Sequence, residues 1–446
     1  MKDFSEISEA LAGTPLFSGK TWRVAAEPWR FSEEAARGLR EIGDACAAFY
    51  RALERLYLAG AAGKNLLRNG ELRAPWAAEI LDRGKPPELL AHGRAPALAG
   101  TLPPVIRPDL LATETGFALT ELDSVPGGVG LTAFLARLYG CADAMPELFL
   151  NAVRGGNADA RVVVAVSEEA ATYRPEFEWL AETLRRERGA AIEVCDPNEL
   201  EISDAGVFFA GKRADVVYRF FELFDLANFR GAAALAAQAE RGNVRVVPPM
   251  RAFQEEKLSL ALFRHPSLEP FWREALGERH FGTLRGIVPA TWIVEPLGEL
   301  PAGALLHAPR PMRDWQELAR APRRERDFVL KASGFAENAW GARSVTVGND
   351  ASQTEWAAAV DEALSAGARG SLYVLQEFRK PKRVPFAVFD DAGTRRETLG
   401  RARICPYYFV GPDGSTTLGG ALATVCPADK KIIHGMSSAS LAPCAF

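Results

Sequence analysis

Apolar positions along the chain change period several times, and each change marks an element. In FSEEAARGLREIGDACAAFYRALERLYLAG they recur at helical spacing from Ala35 to Leu58, with Ser32 as the expected N-cap and Gly60 as the stop. A Pro/Gly-rich connection runs from Arg83 to Pro104. PPVIRPDLLA and GFALTELDSV then read as two strands turning near Thr115 and Gly116, a β-hairpin, and LTAFLARLYG as the helix that follows a glycine-rich turn.

A second pattern begins near Ala160. RVVVAV reads as a buried strand, EFEWLAETLRRERGA as an amphipathic helix, and AIEVCD, GVFFAG and ADVVYRF as further short strands. Strand, helix, strand is a βαβ signature, so a small α/β domain is expected up to Val247. From Pro248, FQEEKLSLALFRHP and SLEPFWREALG read as helices. Strands are expected at DFVLKAS, ARSVTVG, SLYVLQEF, VPFAVFD, RARICPYYFV and KKIIHG, interrupted by one helix at TEWAAAVDEALSAG. The expected fold class is α/β (α+β). Its expected parts are a helical region at 1–100, a hairpin region at 101–159, the small α/β domain at 160–247 and a strand-rich part at 248–446. There is no internal repeat and no low-complexity tract.

Composition narrows the class. The 446 residues are 48% hydrophobic and 25% charged, ordinary for a globular protein. A net charge of −4, from 53 basic and 57 acidic side chains, lacks the basic footprint of a nucleic-acid binder. The six cysteines show no CxxC pair and no metal-like spacing, as expected for reduced thiols in a cytosolic protein. MKDFSEISEALAG has no apolar core run and does not read as a signal peptide. No stretch approaches the roughly 18 apolar residues of a membrane span. A cytoplasmic protein without membrane or nucleic-acid partners is expected.

Two phosphate- or nucleophile-like strings are decoys. GTPLFSGKT places five residues between Gly13 and Gly19, one more than a P-loop has, and no buried strand precedes it. GMSSAS is not a G-x-S-x-G elbow. The five histidines include no metal-like pair.

TELDSVPGG, Thr120 to Gly128, carries more chemistry. Glu121 and Asp123 are two apart on a strand and share a face; Arg107 and Asp109 on the preceding strand do the same. With Asp109 opposite residue 119, Arg107 opposite Glu121 and residue 105 opposite Asp123, all four line one face. That register needs an odd-length turn of three or five residues around Thr113 to Thr115; an even turn separates the pairs. Three carboxylates on one face repel one another, and a hard divalent cation such as Mg²⁺ relieves this. The alternative is a solvated polar face with Arg107 as an ion-pair partner and ordinary turn chemistry after it. Farther on, DFVLKASGFAENAWGARSVTVG sets Lys331 at a strand end before a loop with Gly334 and Gly341, an arrangement suited to phosphate oxygens. A surface lysine before a hairpin reads equally well. SLYVLQEF ends a buried strand in Gln376 and Glu377, whose backbone groups could meet an adenine edge.

In this order the segments resemble an ATP-grasp fold. Strand–Lys, glycine loop, strand, helix and strand–Gln–Glu resemble its nucleotide-binding half, and E-x-D-x-x-P resembles its metal site. In most members the metal site follows the nucleotide half; here it comes first, at 107 to 128. That order resembles the circularly permuted ATP-grasp proteins, including the synthetase domain of glutathionylspermidine synthetase, which show an R-x-D strand, a turn and E-x-N. RPD…ELD matches this, and FQEEKLSLALFRHPSLEPF resembles their lysine-containing helix followed by His-Pro. The resemblance covers residues 100 to 446.

It implies that Asp109, Glu121 and Asp123 bind Mg²⁺ and that Arg107 steadies a transferring phosphoryl group or acyl intermediate. It implies that Lys257 and Lys331 hold ATP phosphates under a loop from Ser333 through Gly334 to Gly341. Gln376, Glu377 and Phe378 would form the adenine hinge, and Arg403 is a candidate phosphate contact. The implied activity is an ATP- and Mg²⁺-dependent carboxylate–amine ligase that acts through an acyl phosphate on small-molecule acids and amines. Alternatives are a phosphotransferase on the same scaffold and a nucleotide-binding protein without turnover. The carboxylate set speaks against the latter, since unpaired acids are a liability without metal. Asp123 stands where many members have Asn, the loop carries Phe335 and Trp340, there is no amidase domain, and the N-terminal helices have no counterpart. YRFFELFDL either lines the substrate side through Tyr218 and Arg219 or is a packed junction with a surface arginine.

Overall fold

Ser32 caps the first long helix: its Oγ accepts the Ala35 N–H at 3.2 Å, and the helix runs Glu33–Ala61. This computed structural model describes residues 3–18, 22–295, 314–336, 339, 343–390, 392–433 and 439–446. The architecture is mixed α/β, in two units. One comprises Met1–Ala47, Ala95–Met250 and Lys380–Phe446; the other comprises Ala48–Arg94 and Arg251–Arg379.

The first unit is built on an eight-stranded sheet. Its main path runs Arg23–Val24, Ser440–Ala445, Thr416–Pro427, Arg395–Val410, Val105–Thr113 and Gly116–Asp123. Arg383–Phe389 pairs with Arg395–Val410, and Trp29–Arg30 with Ser440–Ala445. The Thr416–Pro427 strand has no counterpart in the expected elements, and its composition shows why. It contains Gly419 and Gly420, which read as a turn in sequence. In the sheet a Cβ on Gly419 would come within 2.4 Å of the Phe409 ring, and one on Gly420 within 2.5 Å of Met145 Sδ. KKIIHG is not a strand over its described residues, which stop at Ile433; the chain's last strand is Ser440–Ala445 instead.

The expected βαβ layer is present in this unit. Arg245–Val247, Val216–Phe220, Val162–Val166 and Ile192–Cys195 form a parallel sheet in that order, with the Arg174–Arg188 helix joining two of its strands. Every residue of Val162–Val166 and Val216–Phe220 is buried, as a parallel sheet covered on both faces requires. GVFFAG belongs to a separate three-stranded antiparallel sheet.

The second unit holds an antiparallel sheet ordered Thr291–Val294, Tyr373–Glu377, Phe328–Ala332, Thr346–Val347. The expected helix forms at Gln353–Ala368 behind a Ser352/Glu355 capping box. Its apolar side, Trp356, Val360 and Ala363, packs with Leu330, Leu375, Trp315 and Leu318, and Trp356 Nε1 donates to the Leu318 carbonyl at 2.9 Å. Among its described residues, ARSVTVG contributes only Thr346–Val347. FQEEKLSLALFRHP is not one helix. A 3₁₀ turn at Ala252–Glu255 precedes a short helix at Leu258–Arg264, so Lys257 stands at a helix N-cap rather than on a helix face. Among the described residues no helix is long and apolar enough to cross a membrane.

Trp356 is fully enclosed, whereas the Ser352 side chain caps the helix by accepting the Glu355 N–H. Urea unfolding of Trp356→Ala should show a loss of about 3–5 kcal/mol, against about 1 kcal/mol for Ser352→Ala. Equal losses would mean that Trp356 does not organise this core.

Candidate functional site

The hairpin register is the first determinant of the site. Thr113 pairs with Gly116, so the turn is the two residues Glu114 and Thr115, not the odd-length turn the sequence reading required. A two-residue turn alone would put the charged pairs on opposite faces. A β-bulge corrects it: Leu110 pairs with Leu119 but Asp109 pairs with Glu121, leaving Thr120 as the extra residue. The Thr120 hydroxyl donates to the Asp109 carbonyl at 3.1 Å. Beyond the bulge Arg107 lies opposite Asp123, so Arg107, Asp109, Glu121 and Asp123 share one face.

Arg395–Val410 pairs with the other edge of Val105–Thr113, Arg403 opposite Leu111 and Ile404 opposite Leu110. Residues 403, 405 and 407 therefore join the same face. Asp109, only 3% exposed, is enclosed by them. Its Oδ2 accepts from Arg403 Nη1 at 2.8 Å, and its Oδ1 accepts from Arg107 Nε at 3.1 Å and Cys405 Sγ at 3.3 Å. Burial alone would raise the Asp109 carboxyl, but Arg403 and Arg107 outweigh it and hold the group below its ordinary value. Asp123 is placed differently. Its Oδ2 pairs with Arg107 Nη2 at 3.0 Å and its Oδ1 takes the Val125 N–H at 2.9 Å. Burial, with Glu121 and Asp109 nearby, still pushes its carboxyl above the ordinary value, against the pull of Arg107.

Pro126–Gly128 forms the floor of this cluster. The Gly127 carbonyl accepts both Arg107 Nη1 and the Tyr407 hydroxyl at 2.9 Å. Gly127 has room for no side chain, since its Cβ would meet the Tyr173 ring at 2.3 Å; Gly128 has φ +88° and would meet Tyr407 Oη at 2.4 Å. Helix Val129–Leu138 begins here, and its N-terminus is capped from another helix: Glu176 accepts the Gly128 N–H at 2.6 Å and the Leu131 N–H at 3.1 Å. Burial pushes Glu176 up to about 7 even so. Glu176, Tyr407 and Tyr173 were missed in sequence because each lies far along the chain from TELDSVPGG. The one signal was the glycine run itself, which marks close approach.

Tyr218 is fully buried near this cluster, packed on Phe149 and Phe177, and among the described residues its hydroxyl has no hydrogen-bond partner. Arg219 is not a surface arginine: it is completely enclosed, donating to the carbonyls of Pro248, Phe221 and Pro249 at 3.2, 2.7 and 3.3 Å.

In the second unit, Lys331 lies near the end of Phe328–Ala332, 6% exposed, and its Nζ donates to Gln376 Oε1 at 2.9 Å. Gln376 Nε2 donates in turn to Thr291 Oγ1 at 3.1 Å, so side chains from three strands are tied together. The Glu377 N–H donates to Ala290 O at 2.8 Å and the Phe378 N–H to Asp327 O at 2.9 Å. An adenine edge placed here cannot draw on those two amides without displacing them. Ser333 and Gly334 begin the loop. The Gly334 N–H donates to Glu256 Oε2 at 3.0 Å, and a Cβ on Gly334 would overlap Glu255 O at 1.9 Å, so backbone approach dictates glycine here. Lys257 Nζ reaches the loop carbonyl of Ala339 at 3.4 Å. Gly341 and Trp340 lie outside the described residues.

The donor chemistry of Asp109, Glu121 and Asp123 suits a hard cation. Glu121 and Asp123 are half-buried at the rim of the face, while Asp109 already has both oxygens engaged. Among the described residues no group of three or more acidic, histidine or cysteine side chains is arranged to hold a metal ion. Arg107 and Arg403 offset the charge of Asp109, and Arg107 also pairs with Asp123; the ion pairing of Arg107 is the alternative that the sequence reading had kept open.

No protein-family model and no curated protein matches the sequence. The fold is similar to that of a glutathione synthetase-like effector from Globodera pallida, with a TM-score of 0.53 at 12% identity, covering 99% of this chain and 96% of that one. A putative γ-glutamylcysteine synthetase from Methylobacillus flagellatus aligns at a TM-score of 0.42 and 13% identity, over 83% of this chain and 86% of that one. A D-cycloserine synthetase aligns at 0.29 and 15%, over 63% and 90%. At these identities the first likeness shows the fold alone, and no argument rests on the other two.

Two stability measurements follow from the cluster. Asp109→Asn leaves two half-buried guanidinium groups without their shared anion and should cost about 2–3 kcal/mol. Asp123→Asn keeps an acceptor for Val125 and should stay within about 1 kcal/mol of wild type; similar losses in thermal unfolding would contradict the different roles. For Glu176, the folded chain holds the proton more tightly than the unfolded chain, whose value is about 4.5. Its contribution is thus complete below pH 4.5 and lost as pH rises to about 7. Relative to Glu176→Gln, wild type should lose on the order of 3 kcal/mol across that window; parallel pH profiles would show that Glu176 stays ionised.

Proposed function

We propose that the chain is an ATP- and Mg²⁺-dependent carboxylate–amine ligase of ATP-grasp type, acting on small molecules through an acyl phosphate. The observation that carries this reading is the Arg107–Asp109–Arg403 cluster with Glu121 and Asp123 beside it. It occurs on a fold shared along 99% of the chain with a glutathione synthetase-like protein. The circular permutation and the closer resemblance to glutathionylspermidine synthetase rest on motif order alone.

In this reading Lys257 and Lys331 bind the ATP phosphates, with Ser333 and Gly334 opening the loop over them, and Gln376, Glu377 and Phe378 lie on the adenine side. Glu121 and Asp123, with Asp109, would hold Mg²⁺, which when bound neutralises phosphate oxygens. The substrate carboxylate attacks the γ-phosphorus in line and ADP leaves; the amine then attacks the acyl carbon and expels phosphate. Arg107 and Arg403 stabilise the charge that develops on the transferring group and then on the acyl oxygen. Asp109 fixes both guanidinium groups so that they need no reorganisation. No nucleophilic thiol is required, and Cys405 is unsuited to that role, since burial pushes its thiol up to about 12.

One observation favours a second reading, Mg²⁺-nucleotide binding without turnover. Asp109 is satisfied by Arg107, Arg403 and Cys405, so retention of the acids does not by itself demand a metal or chemistry.

The melting temperature with and without Mg-ATP tests the nucleotide step, with Glu121→Gln and Lys331→Ala beside wild type. At about 100 times its Kd the ligand should stabilise the fold by about 2.7 kcal/mol, a shift of a few degrees. Wild type should shift and both folded variants should lose most of the effect; no shift in wild type at millimolar Mg-ATP would remove the ligase reading. With a panel of acids and amines, an amide with ADP and free phosphate supports the ligase. A phosphorylated acceptor supports a phosphotransferase, and nucleotide binding without ADP release supports the silent binder.

A further inference from the structure

Glu256 is a buried acid that precedes Lys257 in the chain and accepts from Ser333 and Gly334, and it is held by a lysine from a distant part of the same unit. Lys85, in the turn between the helices Pro75–Asp82 and Pro87–Gly93, places Nζ 2.6 Å from Glu256 Oε1. Their side chains are 1% and 2% exposed. The other carboxylate oxygen, Oε2, accepts the Gly334 N–H at 3.0 Å and the Ser333 hydroxyl. Ser333 Oγ also accepts the Leu258 N–H at 3.1 Å. The Lys85 ammonium lies 5.5 Å from the centre of the Phe335 ring, the next residue of the loop. One carboxylate thus organises the loop's first residues, and one ammonium organises the carboxylate.

Electrostatics makes this arrangement conditional. Glu256 adjoins Lys257, and Ser333 stands two residues after Lys331. An uncompensated anion at that position would oppose the phosphates the two lysines are proposed to hold, in surroundings where charge is poorly screened. A neutral side chain there could not receive both the Gly334 amide and the Ser333 hydroxyl as strongly. A Lys–Glu pair meets both needs: the carboxylate remains a charged acceptor, while the pair adds no net charge. Burial alone would raise the Glu256 carboxyl; Lys85, Ser333 and the Gly334 amide outweigh it and hold it below the ordinary range.

We propose that Lys85 is a positioning residue for nucleotide binding: by cancelling the charge of Glu256 it allows that carboxylate to set the Ser333–Phe335 loop without repelling the phosphates. This rests on the nucleotide reading above. Lys85 faces Glu256; Glu255 and Lys257 flank it in the chain, and Lys331 stands two residues before Ser333, whose hydroxyl donates to it.

The test is Mg-ATP affinity by calorimetry at pH 6, 7 and 8 for wild type, Lys85→Met, and Lys85→Met combined with Glu256→Gln. Lys85→Met should bind about tenfold or more weakly at pH 8 and recover as pH falls and Glu256 takes a proton. The combined variant should regain most of the loss at every pH. A purely structural lysine would give a loss that neither low pH nor Glu256→Gln repairs, and that result overturns the proposal, as does wild-type affinity in Lys85→Met. Should Lys85→Met alone not fold, the combined variant carries the test: near-wild-type, pH-independent affinity supports the proposal and a persistent tenfold deficit overturns it. If wild type itself does not bind Mg-ATP, the nucleotide reading fails and the proposal falls with it. Binding by wild type with an unaffected Lys85→Met removes only the proposal.

Discussion

A carboxylate withdrawn from water between two guanidinium groups governs the first unit. Burying Asp109 costs several kcal/mol unless partners are placed within hydrogen-bond reach. Those partners come from two strands: Arg107 from its own, and Arg403 with Cys405 from the neighbour. Meeting that requirement fixes the alignment of Val105–Thr113 against Arg395–Val410, and with it the position of Tyr407 over Gly127. The turn beneath, the start of the helix at Val129 and the Glu176 cap all follow from that placement.

The second unit solves a related problem with side chains of opposite sign. Lys331 donates to the neutral amide of Gln376, and Glu256 is a buried acid paired with Lys85. The first contact goes to a neutral acceptor; the second cancels a negative charge. Within one small sheet and its adjoining turns, charge is sorted before any ligand arrives.

Much of this was legible in the sequence, and the failures have physical causes. Periodicity located the Glu33–Ala61 helix, the βαβ layer and the Gln353–Ala368 helix because each follows a single repeat over a long window. It missed Thr416–Pro427, whose glycines serve packing against Phe409 and Met145, and it overextended the helix around Lys257. The alternation of Arg107, Asp109, Glu121 and Asp123 announced a shared face, yet the way it is reached was invisible. A bulge depends on which partner a residue finds across the ladder, and no local pattern encodes that. The contributions of Glu176, Tyr407 and Lys85 were illegible for the same reason: each is a contact between segments far apart in the chain.

The bulge at Thr120 also determines how this hairpin can change over generations. Because side chains alternate, the face depends on whether the residues between Asp109 and Glu121 number odd or even, and not on how many there are. Lengthening the tip by a pair of residues keeps the charged face intact, while gaining or losing one turns Glu121 and Asp123 toward the apolar side unless the bulge is lost at the same time. Insertions and deletions at the tip should therefore persist in steps of two, and a relative with a three-residue tip should have a regular ladder where this chain has Thr120.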